Sequence, residues 1–225
     1  MTAALEVTGL SKTYGDAPAV GPLDLAVQIG ERVVLLGHNG SGKTTLLRIA
    51  AGMLEATEGE ISIHGHEIGS MDARALTSYL GDQPVFYDDL SVWEHLEYVA
   101  RLHGTDEWKD HATDLLGMLG LEDRADDLPT TFSRGLKQKA AIALAFIRPF
   151  ELLLVDEPFV GLDHAGREAL LELFRRAHAE GAALLVATHE LTTVNRSERV
   201  IALRDGVVVF DGVPTGADVE ALVTK

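Results

Sequence analysis

The chain has 225 residues, 46% of them apolar and 24% charged, and its 35 acidic against 19 basic side chains give a formal net charge of −16. These proportions are globular and exclude a disordered or fibrous chain, while the acidic excess, with no block of lysines or arginines, argues against nucleic acid or anionic lipid as a partner. The absence of cysteine excludes disulfides and thiolate metal sites; no apolar run reaches the roughly 18 residues of a spanning helix, no secretion signal precedes the first strand, and the cytosol is the expected compartment.

Residues 4–10 (ALEVTGL) and 23–29 (LDLAVQI) alternate apolar and polar positions as half-buried strands do. Gly30-Glu31 turns the second into RVVLLG (32–37), an unbroken apolar run that predicts a buried strand. A helix is predicted from about Gly42 to Ala51, with Gly52 as its stop. GEISIHG (59–65) reads as another short strand. From Ser91 to about Gly120 the apolar residues Val92, Leu96, Val99, Leu102, Leu115, Leu116 and Leu119 recur at helical spacing and predict a helical lobe, which Ser91 opens as a cap with Glu94 three residues on.

The second half alternates again, with a helix from Ser133, a strand at 152–156 (LLLVD), a helix over about Ala165 to His178 and a strand at 183–189 (ALLVATH). Such alternation predicts an α/β fold with a parallel sheet covered by helices. Residues 198–212 close the core as a hairpin turned at Asp205-Gly206, a pair suited to positive φ. No internal repeat, low-complexity tract or long linker interrupts the chain, and the short remainder after the hairpin is expected to leave no room for an appended regulatory domain.

Between the buried strand and its helix lies GHNGSGKT, Gly37 to Thr44, which fits GxxxxGK[ST] in the strand–loop–helix context that pattern requires. Glycines at 37, 40 and 42 let successive backbone amides turn toward one anion, and the helix amino terminus adds partial positive charge. Lys43 brings a full charge to the terminal phosphates, and the Thr44 hydroxyl is a ligand for Mg²⁺. The motif alone leaves many nucleoside triphosphatases open.

The strand LLLVD ends in two carboxylates. Asp156 stands where a strand presents a ligand to the metal of such a cradle, and Glu157 is the candidate base or orienter of the attacking water. Taken alone, VDEP is an ordinary strand end capped by solvated acids.

In this order the motifs resemble the ATP-binding cassette family, the ATPase subunits of ABC transporters, and the resemblance covers nearly the whole chain. It implies one nucleotide-binding domain over 1–225, with a P-loop NTPase core of RecA-like type at about 1–83 and 150–225. That core has a mixed, mainly parallel sheet and an amino-terminal antiparallel β portion, and the helical lobe occupies about 84–149. It also implies that ATP is held by Gly37, His38, Asn39, Gly40, Ser41, Gly42, Lys43, Thr44 and Thr45, with Tyr14 (SKTYG) stacked on adenine. Thr44, Gln83 and Asp156 would hold Mg²⁺. Gln83 would also link the attacking water to the transporter-facing lobe; outside the family it reads as part of a turn before Pro84. Glu157, His189, Lys43 and Gln83 form the catalytic set implied by the family, with His189 (VATHE) at the γ-phosphate. FSRGLKQK, from Phe132, resembles the family signature, whose Ser133, Arg134 and Gly135 would meet nucleotide on the opposite subunit, and Asp163 (PFVGLD) would lie on the loop crossing that interface.

The commonest signature reads Leu, Ser, Gly, Gly, Gln, so Arg134 and Leu136 depart from it. Ser133 still caps a helix and Gly135 leaves first-turn amides open, whereas Arg134 either lends charge to a phosphate or crowds it. The basic residue is similar to exporter-type cassettes of the drug-export and haem-export kind. The implied partners are a separately encoded membrane permease and a second cassette, identical or different, with no nucleic acid, and the implied location is the inner face of the cell membrane. The aromatic-rich stretch Val85, Phe86, Tyr87, Leu90 and Trp93 is expected either to meet the permease or to form plain core of the helical lobe. A GTPase is disfavoured by the lack of an NKxD segment. A soluble cassette without a permease, or a non-catalytic regulatory module, stands as the alternative.

Overall fold

A computed structural model describes residues 3–189 and 198–214. Two sheets share a core. The first is antiparallel, with strand order β2-β1-β4-β5, formed by β1 (Leu5–Tyr14), β2 (Ala17–Val27), β4 (Glu58–Ile63) and β5 (His66–Glu67). The second has six strands: β3 (Arg32–Leu36), β6 (Thr77–Leu80), β7 (Leu152–Asp156), β8 (Ala183–Thr188), β9 (Arg199–Arg204) and β10 (Val207–Gly212). Its order is β10-β9-β3-β8-β7-β6, with every pairing parallel except the β9–β10 hairpin. The fold is therefore α/β, with a mixed sheet and an amino-terminal antiparallel portion.

Both faces of the parallel strands are covered, which is why β7 and β8 are unbroken apolar runs rather than alternating ones. The period of two splits β7 between two cores. Leu152 and Leu154, on the same sheet face as Val33 and Leu35 of β3, point to the antiparallel sheet and helix α1 (Lys43–Ala50), while Leu153 and Val155 face the helical side. That side carries α3 (Val92–Leu102), α4 (Trp108–Leu119), α5 (Arg134–Phe146) and α6 (His164–Ala179). The short helix α2 (Met71–Leu76), capped by the Ser70 hydroxyl, leads directly into β6.

The helix punctuation matches the residues. Glu94 N–H donates to Ser91 Oγ (3.2 Å) and Ser91 N–H to Glu94 Oε2 (2.8 Å), a complete capping box. α1 stops at Gly52 in the left-handed region, where Met53 N–H bonds Arg48 O (2.9 Å) and Gly52 N–H bonds Ile49 O (2.9 Å). The hairpin turn carries φ 50° at Asp205 and 81° at Gly206, as its sequence requires.

The structure departs from the hydrophobic pattern in three places. Leu102, on the apolar stripe by spacing, is 66% exposed because α3 ends there and leaves it beyond the lobe's core. Residues 66–80 form β5, α2 and β6, none of them visible in the hydrophobic pattern, since these elements are two, six and four residues long. Of the aromatic-rich stretch, Phe86 and Trp93 pack inward against the helical core, while Val85 and Tyr87 face solvent. The segment GADVEALVTK lies outside the described residues.

Candidate functional site at the phosphate loop

β3 delivers the chain at Leu36 into the loop 37–42, and α1 begins at Lys43 with Gly42 as its cap at φ 104°. Two of the glycines are fixed by close approach. A Cβ on Gly37 would sit 2.3 Å from Ser41 Oγ and 2.6 Å from Leu203 O, and one on Gly42 would sit 2.7 Å from Ala19 O. The loop is braced from the opposite side by the β9–β10 turn. Gly206 N–H donates to Ser41 O (3.1 Å), Gly21 N–H donates to Gly206 O (2.8 Å), and His38 Nε2 lies 3.6 Å from Asp205 Oδ1. No motif in the sequence signals this brace.

Lys43 is 5% exposed and folds back over the loop. Its ammonium donates to Gly37 O (2.7 Å) and His38 O (3.2 Å) and stands 3.5 Å from Glu157 Oε1. The other Glu157 oxygen is 2.9 Å from His189 Nδ1, so lysine, glutamate and histidine form one chain at the mouth of the loop. Glu157 holds this place at φ 47°, a conformation unusual for a residue with a Cβ, secured by its N–H bond to Ala187 O (2.9 Å). A strand continued straight through Asp156 would point the next side chain elsewhere; the left-handed kink aims it at Lys43 and His189.

Asp156, at the end of β7, is completely buried, and neither carboxylate oxygen has a hydrogen-bond partner. Burial pushes its carboxyl pKa upward, an effect opposed mainly by the Thr44 hydroxyl beside it. Buried oxygens left without donors are costly unless something positive completes them. Among the described residues no cluster of three or more His, Cys, Asp or Glu side chains offers a self-contained metal cage. The set here is one carboxylate with a hydroxyl, the sparse donor set from which Mg²⁺ is held together with phosphate oxygens. The residues fit that ion.

The structure thus brings Lys43, Asp156, Glu157 and His189 together with Gly37–Thr45. It places the remaining candidates apart. Tyr14 ends β1, 54% exposed, with Lys12 Nζ 5.3 Å above its ring. Gln83 is exposed in the turn after β6 and lines a different cleft, about 370 Å³, with Tyr79, Phe86, Ala141 and Arg148. Ser133 caps α5 by accepting from Leu136 N–H at 3.4 Å. Asp163 caps α6, accepting from Gly166 N–H (2.8 Å), and pairs with Lys139 (3.2 Å). Gly135 has a second reason to be glycine: its Cβ would lie 2.6 Å from Gly161 O, so the α5 start and the loop before α6 touch backbone to backbone, with Arg134 laid along Gly161.

Residues 20–160 match the family model described as ABC transporter. The chain belongs to the ABC transporter family. It is 34% identical over 210 residues to the SkfA peptide export ATP-binding protein SkfE of Bacillus subtilis (strain 168), covering 92% of this chain and 88% of that one. It is also 34% identical over 216 residues to the macrolide export ATP-binding/permease protein MacB of Rhodopseudomonas palustris (strain BisB18), covering 90% of this chain but 33% of that longer protein. Among solved structures, an ATP-binding subunit of an ABC transporter superposes with a TM-score of 0.89 at 36% identity, covering 93% and 90% of the two chains. The cassette MJ0796, solved as a dimer in a post-hydrolysis state bound to ADP and Pi, gives 0.85 at 27% identity, covering 94% and 99%. The present chain is thus an ATP-binding ATPase, of a family in which the cassette MJ0796 is seen as a dimer. No helix among the described residues is long and apolar enough to cross a membrane.

Proposed function

We propose that this cassette hydrolyses ATP between two subunits to drive export through a separately encoded membrane permease, held peripherally on the cytoplasmic face. The carrying observation is the convergence of Lys43, Glu157 and His189 beside the unpartnered Asp156 at the braced loop. In this reading the loop amides and Lys43 hold the triphosphate, Tyr14 stacks on adenine, Glu157 takes up the proton of the attacking water, and His189 meets the γ-phosphate. Thr44, Gln83 and Asp156 would hold Mg²⁺, which neutralises charge on the phosphates. Lys43 must leave Glu157 to reach the nucleotide, so binding also frees the base. Ser133, Arg134 and Gly135 would complete the site of the opposite subunit, across the Asp163 loop. The domain divides into a core over about 1–83 and 150–225 and a helical lobe over about 84–149.

Export is supported by the names of SkfE and of MacB, the latter carrying its permease in the same chain. A docking face is available beside Gln83, where Val85 is 92% and Tyr87 54% exposed, and it continues across Arg148 to Met53, Met71 and Leu102. The test is Glu157→Gln. It should bind ATP as the parent does while hydrolysis falls by about 100-fold or more, and it should retain a polytopic membrane protein when purified from detergent-solubilised membranes with MgATP. Parental hydrolysis would remove Glu157 from the base role, and recovery without a membrane partner would remove the permease.

A further inference from the structure

His95 is 4% exposed in the first turn of α3, and both ring nitrogens are engaged. Nδ1 lies 2.7 Å from Ser91 O, and Nε2 lies 2.9 Å from the backbone nitrogen of Tyr87. A carbonyl only accepts and an amide N–H only donates. The proton must therefore sit on Nδ1, and Nε2 must be bare: a neutral ring of one defined tautomer. Around it Phe86 packs edge-on at 5.4 Å and Tyr87 stacks at 5.9 Å, while Tyr87 meets Tyr98 of α3 at 5.5 Å.

What this ring grips is the segment between β6 and α3, which carries Gln83 four residues before Tyr87. Pro84 fixes its own φ and restricts Gln83 before it, so the Tyr87 amide anchors a short path with reduced freedom that ends at Gln83. The same stretch exposes Val85 and Tyr87, and the Tyr87 backbone is the part that His95 holds.

We infer that His95 is a positioning residue for Gln83: its bare Nε2 accepts the Tyr87 N–H and makes the Gln83 segment follow helix α3. The inference rests on the role proposed above for Gln83. His95 does not touch nucleotide; it determines where Gln83 stands.

The test uses the full chain with His95→Leu, His95→Gln and Gln83→Ala, reading steady-state ATP hydrolysis, ATP dissociation constants and thermal melting, with ¹⁵N NMR of the parent histidines. Gln83→Ala and His95→Leu should each lower kcat by about tenfold or more with the ATP dissociation constant within about twofold, the pattern of a lost transition-state contact. His95→Gln keeps an acceptor within reach of the Tyr87 amide and should return to within about threefold of the parent. The ¹⁵N spectrum should show Nδ1 protonated and Nε2 bare. Parental kcat in folded His95→Leu, no recovery in His95→Gln, or an Nε2–H ring would each overturn the inference. Should His95→Leu fail to fold, His95→Gln and the tautomer decide. Parental kcat in Gln83→Ala would instead overturn the reading of Gln83 itself, and the inference would fall with it.

Discussion

At Asp156 stability and function pull in opposite directions. The carboxylate is buried with only the Thr44 hydroxyl beside it to oppose the cost, and its pKa is raised chiefly by that burial. A raised carboxyl pKa means that the folded chain binds the proton more readily than the unfolded chain does. Its contribution to stability therefore falls as pH rises from the ordinary carboxylate range through the raised value. Asp156→Asn removes the charge and this slope. The variant should be more stable than the parent without nucleotide, and in urea titrations the gap should widen as pH rises from the ordinary carboxylate range through the raised value. The stabilisation that MgATP gives the parent should be largely lost in the variant.

The helical lobe is pinned to the sheet by one buried cation at the end of α5. Arg148 is 8% exposed, and its guanidinium donates to Ala75 O (2.8 Å), Arg74 O (3.3 Å) and Thr77 O, the carbonyls where α2 passes into β6, and to the neighbouring Pro149 O (3.0 Å). Ser78 Oγ returns a bond to Ala145 O at 2.7 Å. Arg148→Met keeps much of the volume but leaves those carbonyls unpaired. It should cost about 2–3 kcal/mol in denaturant unfolding, with Arg148→Lys recovering only part because an ammonium cannot span the fork. None of this is legible in the sequence, since a lone arginine before Pro149 carries no pattern and its partners on α2 and β6 lie some seventy residues away. What the sequence does reveal is whatever local chemistry enforces. The capping box at Ser91, the glycine stop of α1, the Asp205-Gly206 turn and the phosphate loop are each specified within a few residues. Glu157 is legible as a carboxylate in the right place but not as a residue at positive φ, and Gly135 as an open first turn but not as a contact with Gly161.

Across the whole molecule the formal charge of −16 acts on two associations with opposite sign. Two copies brought together by nucleotide repel one another, whereas a permease whose cytoplasmic loops carry the usual excess of lysine and arginine is attracted. Raising salt from about 50 mM to 500 mM shortens the screening length from more than 10 Å to about 4 Å. MgATP-driven self-association of Glu157→Gln should tighten over that range while attachment to the permease weakens, a divergence that analytical ultracentrifugation and membrane sedimentation would register. The brace beneath the phosphate loop has a further consequence, for the order of events during synthesis. β3, which launches the loop near residue 37, lies in the sheet between β8 and β9, and the turn that supports Ser41 is at residues 205 and 206. A nascent chain therefore emerges with its nucleotide-binding motif already made but lacking both sheet neighbours and its prop for about another 150 residues. Ribosome-arrested chains ending before residue 199 should fail to retain ATP, while chains in which residues 1–212 have cleared the exit tunnel should capture it, so the cassette does not engage nucleotide until the β9–β10 hairpin is in place.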